Sequence, residues 1–163
     1  MADSLLANKR VLITQADVFM GPALCGVFAA HGATVIASTA SLVGPDAPAA
    51  VVAAAGDIDV LIANLAIPAP ATPALEVTED EWREVFAALV DPLPRLCRAV
   101  LPAMIARRAG KIVVMGSASA LRGMKRASSY SAARGAQLAY VQALGVEMAP
   151  HNVQINVIAQ NFV

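Results

Sequence analysis

The sequence lacks an excess of charge of either sign. Its 12 Lys and Arg residues balance its 12 Asp and Glu residues, so the formal net charge is +0. A nucleic-acid binder must neutralise phosphates, and an anionic membrane surface attracts polybasic segments. Because the chain has no basic excess for either role, we expect neither nucleic acid nor a membrane among its partners.

Long apolar runs are also missing, although hydrophobic residues make up 58% of the chain and the mean hydropathy is +0.62. Polar residues such as Asp57, Asp59 and Asn64 interrupt the longest candidates before they reach the length of a bilayer span. Residues 1–10 lack the apolar core of a signal peptide. We therefore expect a cytoplasmic protein whose apolar residues fill buried parallel strands and subunit interfaces.

Cysteine is scarce as well. The two cysteines, Cys25 and Cys97, are too few for a disulfide framework and too far apart in sequence for a metal clip. We expect no metal site and a reducing compartment. The length of 163 residues fits one domain, which we expect to span residues 1–163.

Short β-branched runs alternate with Ala-rich stretches along the chain. The runs with strand composition are 10–14, 33–37, 58–63, 111–115 and 153–158. Helical composition covers 21–31, 78–108 with a bend near Pro92 and Pro94, and 127–148. This alternation predicts an α/β fold with a doubly wound, Rossmann-like parallel sheet. The third strand of such a fold must be very short or absent, since Leu42 and Val43 are its only candidates.

Three residues, Ser117, Tyr130 and Arg134, could carry proton-transfer chemistry. Ser117 follows a predicted strand, and Tyr130 and Arg134 are four apart in a predicted helix, so they share a face. A cation near a tyrosine stabilises its phenolate, and a serine hydroxyl can orient a substrate oxygen. The competing interpretation is a surface serine, a packed tyrosine and a solvated arginine.

The sequence resembles the short-chain dehydrogenase/reductase superfamily along nearly its whole length. The matching segments are Ile58–Asn64, Leu101–Met104, Gly110–Val113, Ser117, Tyr130 and Asn156. In that superfamily a serine and a Tyr-x-x-x-Lys pair act on a nicotinamide cofactor. The resemblance implies the Rossmann-like fold of short-chain dehydrogenases. It also implies a further strand and helices after Val163, so we expect a chain without the C-terminal part of that fold.

The loop that binds the dinucleotide in this superfamily departs from its pattern. The family reads Thr-Gly-x-x-x-Gly-x-Gly, whereas residues 14–21 read TQADVFMG. Side chains at Gln15 and Phe19 replace two glycines where the backbone must approach a pyrophosphate. Phe19 either projects into the cofactor space or belongs to the core. We expect no cofactor-binding residues and no cofactor, with NAD or NADP as the alternative.

Four further positions of the cofactor site also differ from the superfamily. No acidic residue follows the second strand near Ser38 to hold a ribose. Leu89 occupies the place of the relay asparagine, and Arg134 that of the catalytic lysine. Gln160 and Asn161 replace the Pro-Gly pair that lines the nicotinamide site.

These departures match one branch of the superfamily, the halohydrin dehalogenases. Its signatures are Thr-x4-Phe/Tyr-x-Gly, which fits Thr14, Phe19 and Gly21, and Ser-x12-Tyr-x3-Arg, which fits Ser117, Tyr130 and Arg134. Residues near 98–102 and 143–145 are most similar to the B-type members of this branch.

The resemblance implies conversion of a vicinal haloalcohol to an epoxide and a halide ion, and the reverse opening of epoxides by small anions. Tyr130 would act as the base, Arg134 would stabilise its phenolate, and Ser117 would hold the substrate oxygen. The halide pocket would include Phe19 and the segment Gln160, Asn161, Phe162 and Val163. Thr14, Asn64 and Ala118 would line the substrate pocket, although Asn64 could instead make a structural hydrogen bond.

The sequence also allows two other functional hypotheses. One is an NAD(P)-dependent short-chain oxidoreductase with a degraded cofactor loop. The other is an inactive fragment of either enzyme, which the early end at Val163 suggests. The helical regions 93–108 and 127–148 correspond to those through which relatives associate, and by this resemblance we expect a homotetramer or homodimer.

Overall fold

A single sheet of five parallel strands organises the chain. The computed structural model describes residues 4–161, so Phe162 and Val163, both expected in the halide pocket, lie outside the described residues. The strands are β1 (Arg10–Ile13), β2 (Thr34–Ala37), β3 (Val60–Ala63), β4 (Gly110–Met115) and β5 (Val153–Ile158). Their order across the sheet is β2-β1-β3-β4-β5, and every pairing is parallel. The predicted α/β fold is therefore confirmed.

The helices connect successive strands. They are α1 (Gly21–Ala30), α2 (Ala47–Ala55), α3 (Glu79–Leu89), α4 (Pro92–Ala106), α5 (Ser119–Arg122) and α6 (Ser128–Met148), with a 3₁₀ turn at Ala149–His151. On one face of the sheet, α1 packs against Val11, Ile13 and Ile62. The opposite face, which includes Leu12 and Leu61, packs against α2, α3, α4 and α6. This two-sided burial explains why β1 and β3 consist almost entirely of apolar residues.

The third strand expected for a doubly wound sheet is absent from residues 4–161. Between β2 and α2 the chain runs without strand pairing, with Leu42 buried in the core and Val43 exposed. The observed strand order equals the usual Rossmann order with its outermost strand removed. The sequence interpretation of residues 38–57 is thus confirmed.

The predicted break near Pro92 separates α3 from α4. Thr78 begins α3 by accepting a hydrogen bond from the Glu81 backbone N–H at 3.1 Å. Pro92 is the first residue of α4, where its missing N–H costs no intrahelical hydrogen bond. None of the helices within residues 4–161 is both long and apolar enough to cross a membrane.

A close backbone approach at the start of α1 depends on Gly21. A Cβ atom at this position would lie 2.5 Å from the Gln15 carbonyl oxygen and 2.6 Å from that of Ala16. Gly26, in the same helix, has open space where its Cβ would lie.

We predict that Gly21→Ala lowers the free energy of unfolding by about 1–3 kcal/mol, because the added methyl group must displace the loop backbone. Gly26→Ala is the matched control, and it should stabilise the protein by up to about 1 kcal/mol through helix propensity. Denaturant unfolding of both variants measures this difference. Equal stabilities would contradict the close packing.

Candidate active site

A cavity of about 520 Å³ lies beyond the carboxyl ends of the strands. In an open parallel sheet, ligands bind at this edge. Segments distant in the sequence line the cavity, namely the β1–α1 loop at Phe19, the loop after β3 at Ile67, the segment after β4, the start of α6, and the residues after β5. The expected halide- and substrate-pocket residues Phe19, Ala118, Gln160 and Asn161 all line it.

Ser117 lies directly after β4 at the wall of this cavity. Its Oγ accepts hydrogen bonds from the backbone N–H of Ser119 at 3.2 Å and from the Ser119 hydroxyl at 3.0 Å. A serine hydroxyl has two acceptor lone pairs and one donor proton. Since both bonds use the acceptor side, the Ser117 proton is available to a substrate oxygen.

Tyr130 and Arg134 meet on one face of α6, as their spacing predicts. Tyr130 lines the cavity, and the Arg134 guanidinium carbon lies 4.9 Å from the centroid of its ring. Arg134 is only 2% exposed, so the cation acts on the ring without a screening layer of water. The structure therefore brings Ser117 and Tyr130 to one cavity and places Arg134 behind the tyrosine.

Neutral oxygen atoms hold the Arg134 guanidinium in place. Its Nη1 donates to the Met115 carbonyl and to Gln137 Oε1, each at 3.0 Å, while its Nε finds no hydrogen-bond partner in the part of the chain that the structure describes. Gln137 Nε2 in turn donates to the Leu89 carbonyl at 2.6 Å. Sequence reasoning missed Gln137, although its position three residues after Arg134 was an available signal.

A second contact that sequence reasoning missed anchors the start of α6. The Ser129 hydroxyl, beside Tyr130 in the chain, donates to Glu81 Oε1 at 2.7 Å. This bond and one from the Thr72 side chain lower the pKa of Glu81 from its ordinary value of 4.5. Thr72 also pairs with Ala127 in an isolated bridge. Glu81 thus joins α3, the loop after β3 and the helix that carries Tyr130.

Thr14 and Asn64 do not line the cavity, unlike the sequence expectation. Thr14 is fully buried, and its hydroxyl donates to the Asn64 carbonyl at 3.1 Å. The Asn64 amide donates to the backbone oxygens of Gln15 at 2.9 Å and Val18 at 3.1 Å. Both residues hold the β1–α1 loop against the end of β3, because the ends of adjacent parallel strands lie side by side. The structural alternative for Asn64 is the one observed.

The β1–α1 loop keeps a glycine-like backbone without the glycines. Gln15 has φ 45° and Phe19 has φ 53°, both in the left-handed region that favours glycine. These are the two positions where the superfamily pattern has glycine. The Phe19 side chain is 58% exposed and lines the cavity, so its interpretation as a core residue is wrong.

The segment after β5 contributes Gln160 and Asn161 to the lining of the cavity. The Gln160 N–H donates to the Ile158 carbonyl at 2.9 Å, so it is not free for an anion. Asn161 Oδ1 accepts a hydrogen bond from Arg122, which also lines the cavity. Among the described residues that line the cavity, Arg122 is the one charged side chain.

Neither Cys25 nor Cys97 is among the residues that line the cavity. Burial raises the pKa of the Cys97 thiol to about 12, which leaves it protonated at neutral pH. Within residues 4–161 no cluster of three or more His, Cys, Asp or Glu side chains could hold a metal ion.

Comparison with known proteins identifies the family. The family described as short chain dehydrogenase matches residues 45–163. The chain belongs to the short-chain dehydrogenase family. A solved structure named "Dehalogenation enzyme" superposes with a TM-score of 0.90 at 31% identity, covering 98% of this chain and 74% of that one.

Other relatives of this short-chain dehydrogenase family member are reductases. The 3-oxoacyl-(acyl-carrier-protein) reductase FabG of Salmonella typhimurium is 28% identical over 108 residues, which are 66% of this chain and 44% of that protein. The FabG of Escherichia coli is 26% identical over 181 residues, covering 96% and 74% of the two chains. A 3-ketoacyl-(acyl-carrier-protein) reductase from Brucella melitensis, complexed with NADH, has a TM-score of 0.88 at 22% identity, covering 95% and 76%.

These comparisons correct the expectation that no cofactor is involved. The curated relatives are reductases, and a structural neighbour with the same fold was solved with NADH. The expectation was wrong because it rested only on residue differences at the loop and at four further cofactor-facing positions of this sequence.

The β1–α1 loop itself does not fit the glycine pattern of a dinucleotide site. Phe19 places a ring in the cavity where a glycine would leave space. Nor does an acidic side chain stand directly after β2, where residues 38–40 are Ser, Thr and Ala.

We predict that the Glu81 contact makes stability depend on pH. A carboxyl whose pKa is lowered in the folded state stabilises the protein above its unfolded pKa, and this contribution is lost as pH falls through the folded value. Glu81→Gln should therefore lower Tm at pH 7, and the difference from wild type should shrink as pH falls below about 4.5. Thermal unfolding from pH 7 to below about 4.5 measures this Tm difference. Glu84→Gln is the control, because Glu84 is an exposed carboxyl of the same helix. A Tm difference independent of pH would contradict this role for Glu81.

Proposed function

We propose that this protein converts vicinal haloalcohols to epoxides with release of halide. The observation that carries the proposal is the buried Arg134 guanidinium 4.9 Å from the ring centroid of Tyr130, which lines the same cavity as Ser117. A tyrosine in this position has a cation to stabilise its phenolate and a serine beside it to hold a substrate oxygen. The similarity to the structure named "Dehalogenation enzyme" supports the same function.

The proposed reaction begins with proton transfer from the substrate hydroxyl to the Tyr130 phenolate. The Ser117 proton, free because Oγ accepts from Ser119, donates to the same substrate oxygen and fixes its orientation. The alkoxide electron pair then forms a C–O bond to the adjacent carbon from the side opposite the halogen. The carbon–halogen bond breaks, and the halide leaves with its bonding electrons. Tyr130 afterwards returns its proton to solvent.

Arg122 is the group in the cavity best suited to receive the departing halide. It carries the one charge among the described lining residues, and its side chain is tied to Asn161. The exposed Phe19 ring supplies an apolar wall to the same cavity. We propose Arg122 for this role because the backbone N–H of Gln160, one of the expected halide-pocket residues, is already bonded to the Ile158 carbonyl.

The second candidate is reduction of a carbonyl or oxidation of an alcohol with a nicotinamide. The relatives named as reductases favour it, and the same Tyr130 and Ser117 would hold the substrate oxygen. The two reactions differ in what leaves the carbon, a halide in one and a hydride in the other. Halide release and nicotinamide turnover, both measured with and without added NADH and NADPH, therefore separate them.

We predict that Tyr130→Phe lowers the rate of halide release from a vicinal bromo-alcohol by at least about 100-fold, because it removes the proton acceptor. Tyr140→Phe is the control, since Tyr140 contacts the buried Cys97 rather than the cavity. Bromide release by the purified chain is the measurement. Release that persists in Tyr130→Phe, or nicotinamide turnover without any halide release by wild type, would reject the dehalogenase proposal.

We predict that Arg122→Gln weakens product inhibition by bromide roughly tenfold, because it removes a charge-assisted contact. Lys125→Gln is the matched control, an exposed cation nearby in the chain that does not line the cavity. Inhibition constants for bromide in both variants test the assignment. Equal constants in wild type and Arg122→Gln would exclude Arg122 as the halide contact.

A further inference from the structure

We propose that Gln137 is a positioning residue that holds the Arg134 guanidinium over the Tyr130 ring. Because its amide oxygen is neutral, this hydrogen bond does not cancel the positive electrostatic field of the guanidinium at the tyrosine. The inference rests on the proposed role of Tyr130 and adds a residue that touches neither the cavity nor the substrate. Gln137 acts only through Arg134.

The hydrogen bonds of the Gln137 amide fix its orientation. Its Oε1 accepts from Arg134 Nη1 at 3.0 Å, and its Nε2 donates to the Leu89 carbonyl at 2.6 Å. Because a carbonyl can only accept, the amide nitrogen must face Leu89 and the amide oxygen must face Arg134. Gln137 is 1% exposed and Arg134 is 2% exposed, so water does not compete for either bond.

The amide oxygen of Gln137 is a neutral acceptor, and this matters because the Arg134 guanidinium is buried. The ion pairs found within residues 4–161 involve Arg83 and Arg95, not Arg134. Among the described residues, the hydrogen-bond acceptors of Arg134 are the Met115 carbonyl and the Gln137 amide, both uncharged. A carboxylate here would satisfy the same donor but would also cancel the field that reaches Tyr130.

A purely structural role for Gln137 is the competing explanation. Leu89 ends α3, where the last carbonyls of a helix have no partner within the helix. Gln137 could serve only to satisfy that carbonyl. The two explanations differ in what a charged replacement does, since a folded variant would keep full activity if the role were only structural.

The first test is Gln137→Glu, with Gln142→Glu as the matched control. Gln142 lies on the same helix but is exposed and does not line the cavity. We expect kcat for halide release to fall at least about tenfold in Gln137→Glu, because a new carboxylate opposes the phenolate. KM should change little, because Gln137 does not line the cavity. Wild-type kcat in folded Gln137→Glu would overturn the proposal.

The second test needs no substrate and therefore stands even if halide release is absent. Gln137→Met removes both hydrogen bonds of the amide and adds no charge. In a crystal structure of this variant, the Arg134 guanidinium carbon should no longer lie 4.9 Å from the centroid of the Tyr130 ring. A guanidinium that stays at this distance in the folded variant would overturn the proposal.

A neutral variant covers the case in which Gln137→Glu does not fold. Gln137→Met has a similar length, removes both hydrogen bonds and adds no charge. We expect lower kcat with nearly unchanged KM, because the guanidinium is no longer held against the ring. Circular dichroism confirms folding of each variant. Folded Gln137→Met with the kcat of wild type would reject the positioning role.

Discussion

The buried Arg134 guanidinium is the constraint on which the site depends. A cation removed from water is costly unless its donors find acceptors, and no carboxylate among residues 4–161 pairs with this one. The Met115 carbonyl at the end of β4 and the Gln137 amide on α6 supply the acceptors. Since Gln137 also bonds the end of α3, the cation ties one strand and two helices together. The Tyr130 ring also contacts the guanidinium. The contacts that satisfy the buried charge therefore also place it beside Tyr130.

The β1–α1 loop has the backbone conformation that glycine favours, although two of its glycine positions carry side chains. Gln15 and Phe19 adopt left-handed conformations that glycine would adopt at lower cost. The Asn64 amide offsets part of this cost through its bonds to the Gln15 and Val18 carbonyls. The close approach at Gly21 remains, because a Cβ atom there would meet backbone oxygen. The result is the bend typical of the fold, with an aromatic ring turned into the cavity.

Relatives of this short-chain dehydrogenase family member include reductases and a structure named as a dehalogenation enzyme. Both chemistries require a held substrate oxygen beside a group that exchanges a proton. In the roles proposed for them, Ser117 and Tyr130 would meet this shared requirement, so the scaffold alone does not choose between the two chemistries. The features that favour halide chemistry lie around the pair, in the Phe19 ring, the Arg122 charge and the arginine behind the tyrosine.

The sequence by itself determined the strand positions, the break before Pro92, the missing third strand and the face shared by Tyr130 and Arg134. These features are local, because they follow from periodicity, proline chemistry and helical spacing. Only the tertiary structure decided the roles of Gln137, Glu81, Thr14 and Asn64. Gln137 meets Leu89 across 48 residues, and Ser129 meets Glu81 across the same separation. No local pattern encodes such partners, because they depend on how helices and strand ends are brought together by burial of the two apolar faces of the sheet.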